Sequence, residues 1–300
     1  MTPYSDVHIP PQGIDLLAEV ACIWEVNARK VGNVYPGISF SDCGVVEFIL
    51  SAAAIRTIFR WPGHSGTGWL VRRAVEETRA IVGTNTNLGI VLLLAPLVNA
   101  IQPGYPFRAV VSAELERLSV QDTQQVYEAI RSAKPGGLGD ATEQDVRDEP
   151  TVTLLEAMKL AADRDMVARQ YANGFADVFD FGVPAFVDAL AQFDCVEAAI
   201  IDSQLRWLAT YPDSLIARKN GIAVAEDVQR RATTVLQLGS LATPEGRAAG
   251  VALDKHLRSD GNKLNPGTTA DLITACLFVA LRENKVTPSA PFRWQAPDWL

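Results

Sequence analysis

Apolar residues recur three and four positions apart along almost the whole chain, and strict apolar–polar alternation never lasts more than a few residues. That period belongs to helices with one face in a core, so the pattern predicts an all-α fold of about a dozen helices and no significant sheet. It places helices over 14–29, 42–59, 69–82, 85–101, 106–118, 121–132, 153–173, 183–192, 196–210, 214–219, 223–238, 244–259 and 268–283. Several starts carry their own chemistry. Ser41-Asp42 is a candidate cap for the second helix, Ser119 with Asp122 has capping-box spacing, and Thr243-Pro244-Glu245 puts proline at a first helical position.

The longest irregular stretch runs from Lys134-Pro135-Gly136-Gly137-Leu138-Gly139-Asp140 through Asp145 and Asp148 to Pro150. A loop of this length is a lid, a binding loop or a plain surface connection. It is the one plausible internal boundary, yet strong helical pattern resumes directly after it. With 300 residues at 48% hydrophobic, the chain has enough apolar material for one large domain or two closely packed subdomains, and a single domain spanning 1–300 is the expectation.

Charge and composition narrow the function. With 27 Lys+Arg against 35 Asp+Glu the net charge is -8, and no basic run is present to track a phosphate backbone, so nucleic acid is not an expected partner. Cys22, Cys43, Cys195 and Cys276 form no CxxC or Cys/His pair and read as reduced, buried thiols. Residues 1–12 lack a basic start followed by an apolar run, so no secretory signal is read there. The most apolar stretch, 88–101, is shorter than the ~20 residues that span a bilayer and contains Pro96. The expectation is a cytoplasmic protein without a membrane span. His8, His64 and His256 are isolated, which leaves no metal-ligand histidine pair and no Ser/His/Asp arrangement.

Five polar clusters interrupt the helical pattern. Gly83-Thr84-Asn85-Thr86-Asn87-Leu88-Gly89 runs into an apolar helix, and Asn265-Pro266-Gly267-Thr268-Thr269-Ala270-Asp271 does the same before Leu272. A small polar loop opening a buried helix presents N–H groups at the positive end of the helix dipole, which suits phosphate or is a plain N-cap. Glu25, Asn27, Arg29, Lys30, Gly32 and Asn33 gather where the first helix ends. Lys30 is either a phosphate contact or a cation at a helix C-terminus. Ser41-Asp42 with Glu47 and Ser51 form another cluster, in which Asp42 reads as a cap or a magnesium ligand. Asp163-Arg164-Asp165 puts charge beside apolar neighbours, and Asp165 with Arg169 has the i, i+4 spacing of an ion pair. The fifth cluster combines Asp202, Asp213-Ser214, Arg218-Lys219 and Asn220-Gly221 with Asp260, Asn262, Lys263 and the Asn265 and Asp271 of the second helix mouth, and reads as magnesium and phosphate groups or as exposed helix ends.

Five stretches together, in this order, resemble the triphosphoribosyl-dephospho-CoA synthase family: Glu25 to Val34, Phe40-Ser41-Asp42 with Phe48 to Ala53, Gly83 to Gly89, Asp213 to Gly221, and Asn265 to Leu272. The resemblance implies an all-helical transferase that joins the ribose of ATP to a hydroxyl of dephospho-CoA and releases adenine. It implies carboxylate roles for Glu25, Asp42 and Asp165. Lys30, Gly32, Thr84, Asn85, Thr86, Asn87, Arg218, Lys219, Asn265, Gly267 and Thr268 would contact nucleotide or phosphate. Magnesium is expected through Asp42, Asp202 or Asp271, with small phosphorylated substrates as the partners and a homodimer left open.

Two positions depart from the family pattern. Lys30-Val31-Gly32 stands where Lys-Pro-Gly is usual, and Asn87-Leu88 stands where His-Lys is usual, which removes cationic groups from a helix mouth. The Asn-Leu-Gly form, the Lys134 loop and the Asp163-Arg164-Asp165 segment look like a branch found in methanogens and methylotrophs. That branch implies a related condensation in making a one-carbon carrier of the methanopterin or methanofuran type. A non-catalytic nucleotide-binding helical protein is the reading from a different class.

Overall fold

The structure is a computed structural model that describes residues 13–63, 65–136 and 143–293. His8, His64, the start of the chain and the Gly137–Asp140 part of the long loop lie outside the described residues. Among those described there are fourteen α-helices and no strand, the nearest approach being an isolated bridge between Tyr35 and Ile38. The all-α expectation holds.

The helices are α1 (Ile14–Asn27), α2 (Val45–Phe59), α3 (Thr67–Val82), α4 (Leu88–Asn99), α5 (Phe107–Glu116), α6 (Val120–Ala133) and α7 (Leu154–Ala161). They continue as α8 (Met166–Ala172), α9 (Val183–Phe193), α10 (Val196–Thr210), α11 (Ser214–Asn220), α12 (Ile222–Gln237), α13 (Pro244–Leu257) and α14 (Gly267–Arg282). Helices α4 and α14 are apolar on nearly every face, as expected of helices enclosed on all sides. α14 packs on α1, α4, α9 and α10, while α1, α2, α3 and α6 follow one another on one flank and α9, α10, α12 and α13 on the other. The first turns of these two central helices lie beside one another, Gly89 of α4 against Asp271 of α14.

Pro96 lies inside α4 and removes the N–H that would bond the carbonyl of Leu92. The buried Tyr171 hydroxyl donates to that carbonyl instead, at 2.6 Å. A helix interruption is thereby satisfied by a side chain from α8.

Three expectations need correction. The helix expected over 153–173 is two helices, because Asp165 turns out of helical geometry and accepts the N–H groups of Val167 and Ala168 as the N-cap of α8. Asp165 therefore pairs with Arg218 of α11 and not with Arg169, whose guanidinium is taken by Asp177 at 2.8 Å. Ser41-Asp42 does not cap α2; Gly44 holds the cap position and its N–H donates to Glu47 at 2.8 Å. One π-helical turn, Val178–Gly182, precedes α9 without a local sequence cue. The other two signals are met, with Ser119 and Asp122 bonding reciprocally and Thr243 capping α13 above Pro244.

Candidate functional site

The N-terminal ends of α4 and α14 open onto a cavity of about 790 Å³. At its floor the two helices touch through Gly89 and Asp271. A Cβ at position 89 would sit 2.0 Å from Asp271 Oδ2, so only glycine lets that carboxylate lie against α4. The Gly83–Gly89 loop is pinned from behind. Asn85 Oδ1 accepts the Leu88 N–H at 3.1 Å, Thr86 and Ser51 share a hydroxyl contact at 2.5 Å, and Asn87 Nδ2 donates to Thr78 at 3.0 Å. The loop from Gly83 to Gly89 and the first turn of α4 line the cavity along this side.

Glu25 reaches the cavity from the last turn of α1. Lys30, fully buried in the turn that follows, places its ammonium 2.9 Å from Glu25 Oε1 and donates to the carbonyls of Glu25 and Ala28. Burial pushes the Glu25 carboxyl up, and Lys30 beside it pulls it back toward the ionised form. Asp271 is raised well above the ordinary carboxylate range by burial first, then by the charges of Glu25 and Asp213, with Arg218 opposing. Two carboxyls thus sit in one enclosed floor with unlike surroundings, one beside a cation and the other between like charges.

The wall above them is built where α8, α11 and α14 begin. Asp213 Oδ1 accepts the N–H groups of Leu215 and Ile216, and its Oδ2 accepts the N–H and hydroxyl of Thr269. One carboxylate therefore ties two helix starts together, while Ser214 accepts from Met166 N–H and donates to Thr268 at 3.1 Å. Arg218, bonded to Asp165, and Lys219 bring positive charge to this wall, and Lys134, Arg79 and Arg164 line the cavity elsewhere. On the third side, buried Gln204 donates to Asn33 Oδ1 at 2.7 Å and Asn33 Nδ2 donates to Asn265 Oδ1 at 2.7 Å.

Most of the candidate residues come together here. Glu25, Asp42, Thr84, Asn85, Thr86, Asn87, Asp165, Arg218, Lys219, Asn265, Gly267, Thr268 and Asp271 all line the cavity. Lys30 does not; its ammonium is spent on Glu25 and on the end of α1. Gly32 supplies a left-handed turn, φ 71°, where a Cβ would meet Leu257 and Pro266 within 2.9 Å, so it serves the packing of α13 against the site. Asp202 is held by Arg206 at 2.7 Å and Ser240 at 2.5 Å, away from the cavity, so it does not share a metal site with Asp42 and Asp271. Among the described residues no three His, Cys, Asp or Glu side chains form a metal-ligand group. Cys43 is the one cysteine that is not fully buried; it lines the cavity beside Asp42, and burial together with that carboxylate pushes its thiol up to about 12.

The apolar wall formed by Val126, Tyr127, Ile130 and Met158 was not foreseen. On α6 and α7 these residues carry the same spacing as any core-facing stripe, so nothing local distinguishes cavity lining from core. No helix among the described residues is long and apolar enough to cross a membrane.

The family model for ATP:dephospho-CoA triphosphoribosyl transferase matches residues 11–289. A protein of Pseudomonas syringae pv. syringae, named as a probable 2-(5''-triphosphoribosyl)-3'-dephosphocoenzyme-A synthase, is 34% identical over 252 residues, 76% of each chain. One of the same name from Pseudomonas savastanoi pv. phaseolicola is 35% identical over 115 residues, a segment that covers 39% of that relative's length. A crystal structure from Archaeoglobus fulgidus, provisionally named a triphosphoribosyl-dephospho-CoA synthase, superposes with a TM-score of 0.60 at 28% identity over 78% of this chain and 97% of that one. The match runs through both helix mouths, the α1 turn and the α11 wall, and the chain belongs to the ATP:dephospho-CoA triphosphoribosyl transferase family, a family of transferases.

Proposed function

We propose that this chain transfers the triphosphorylated ribose of ATP to a ribose hydroxyl of 3'-dephospho-CoA and releases adenine. The observation that carries the reading is the pair of unlike carboxyls, Glu25 and Asp271, on the floor between two helix N-termini, beneath Arg218 and Lys219. In such a reaction the acceptor hydroxyl forms a C–O bond at the anomeric carbon as the C–N bond to adenine breaks. The hydroxyl proton must leave, and the electron pair departing with adenine must be met by a proton. Glu25, raised by burial with Lys30 opposing, is suited to accept the hydroxyl proton and to face the oxocarbenium charge. The positive ends of α4 and α14, with Arg218 and Lys219, suit the triphosphate. The apolar wall of α6 and α7 suits a heterocycle or a pantetheine arm.

Magnesium binds through one or two carboxylates plus substrate phosphates, and Asp42 and Asp271 with a triphosphate supply that donor set. Bound there, it would neutralise triphosphate charge in a cavity whose five lining cations share the lining with six carboxyl groups, Arg218 being tied to Asp165. Asp165 caps α8 and fixes Arg218, a supporting part in place of the reacting carboxylate expected for it. Substrates of this class belong to the cytoplasm.

Incubation of the purified protein with ATP, dephospho-CoA and magnesium should release adenine. Glu25→Gln should lower turnover on the order of a hundredfold or more, the usual worth of a proton acceptor. Adenine release at the wild-type rate from Glu25→Gln would rule out this role. A second reading rests on Asn87 and Leu88, whose side chains are buried and bring no cation to the α4 mouth. It has the same floor serving a phosphorylated precursor of a one-carbon carrier. Turnover with such a furan or pterin precursor, and silence with dephospho-CoA, would select it.

A further inference from the structure

Lys30 is an unusual residue to find without any solvent exposure, and it is placed at the end of a helix whose last turn supplies Glu25. Its chain folds back over that end. The ammonium meets Glu25 Oε1 at 2.9 Å and the carbonyls of Glu25 and Ala28, so each of its three N–H directions has an acceptor. Those carbonyls are at the negative pole of α1, where a carboxylate such as Glu25 is disfavoured and a cation favoured. The turn that carries Lys30 is itself fixed. Val31 N–H donates to Gln204 Oε1 at 3.0 Å and Gln204 Nε2 returns a bond to Val31 carbonyl at 2.9 Å, while Gly32 N–H donates to Asp254 at 2.7 Å. The charged groups acting on this pair come from several elements. Glu197 of α10 and Arg258 of α13 act on Lys30, and Glu25 in turn acts on the Asp271 carboxyl of α14.

We propose that Lys30 is a positioning residue, which clamps the Glu25 carboxylate toward the acceptor hydroxyl and does not itself touch a substrate phosphate. The inference rests on Glu25 being the proton acceptor. It makes Lys30 and Glu25 one unit, with Gln204 holding the turn from behind. A residue that acts only through another has a particular kinetic signature: its loss lowers kcat and leaves nucleotide affinity alone, and it adds nothing once the other is gone.

The test compares Lys30→Met, Glu25→Gln and the double variant, using ATP binding by calorimetry and adenine release with dephospho-CoA. Lys30→Met should keep its ATP dissociation constant within about threefold of wild type while kcat falls on the order of a hundredfold. The double variant should turn over no more slowly than Glu25→Gln alone. Lys30→Met leaves a buried carboxylate unpaired and can fail to fold. The double variant replaces the ion pair by neutral groups of similar size, folds more readily, and reads the same coupling on its own. A loss of ATP affinity of tenfold or more in either Lys30 variant would overturn the proposal in favour of a phosphate contact. Independent, multiplicative losses in the double variant would overturn it equally. If Glu25→Gln retains full activity while wild type turns over, the failure lies with the proton-acceptor role; if Glu25→Gln is slow but the losses multiply, it lies with Lys30.

Discussion

Gly89 shows how one missing side chain can set a site. Alanine in a first helical turn ordinarily stabilises by roughly 0.5–1 kcal/mol over glycine. Here its Cβ would fall on the Asp271 carboxylate, the movable end of a side chain, so the carboxylate swings aside while the backbone stays. Gly89→Ala should therefore leave the melting temperature within about 2 °C of wild type, the two small terms offsetting, yet cut turnover roughly a hundredfold through misplacement of the floor. A large fall in melting temperature would mean that α4 and α14 separate instead. At this scale the sequence was informative about which residues gather and uninformative about what they hold. Lys30 and Asp165 both read as ligands or reacting groups, and each has an intramolecular partner: Glu25 for buried Lys30, the α8 N-terminus and Arg218 for half-buried Asp165. Partners across 53 positions of chain, as for Arg218 and Asp165, leave no local spacing to read.

Among elements, helix existence was legible because the period of apolar residues is a property of one segment. The break at Asp165 was not, since Ala161, Ala162 and Met166 keep the apolar rhythm through it and the cap is visible only from its bonds. α4 poses the opposite case. Its Pro96 is plain in the sequence as a hazard, but the remedy comes from α8, where the Tyr171 hydroxyl takes the abandoned Leu92 carbonyl. Tyr171→Phe keeps the ring and leaves that buried carbonyl without a donor, which should cost about 1–3 kcal/mol. Chemical denaturation should show the midpoint falling with an unchanged slope. An unchanged midpoint would mean that the carbonyl finds another donor.

For the whole molecule, an acidic chain proposed to take a polyanion has to resolve two conflicts, the charge of the ligand and the charge of its own floor. Asp271 is held above the ordinary carboxylate range chiefly by burial, and Glu25 and Asp213 add to it. A carboxyl raised on folding contributes stability that is full below its unfolded value and is lost as pH rises through its folded one. At neutral pH, where the unfolded carboxyl is ionised, burying Asp271 therefore costs the empty protein stability, and a group that cannot ionise removes that cost. In a chelating buffer, Asp271→Asn should unfold at a higher temperature than wild type at pH 7, and the gap should close as pH falls toward 4. A ligand that prefers the ionised form reverses the order. Magnesium with ATP at about a hundred times its dissociation constant should stabilise wild type by about 2.7 kcal/mol. Asp271→Asn, which lacks the charge, should gain much less from the same addition and take up no proton change on binding. A variant less stable than wild type at pH 7 in chelator, or one stabilised equally by magnesium and ATP, would show that the floor carboxyl is a packing group and not the place where substrate charge is received.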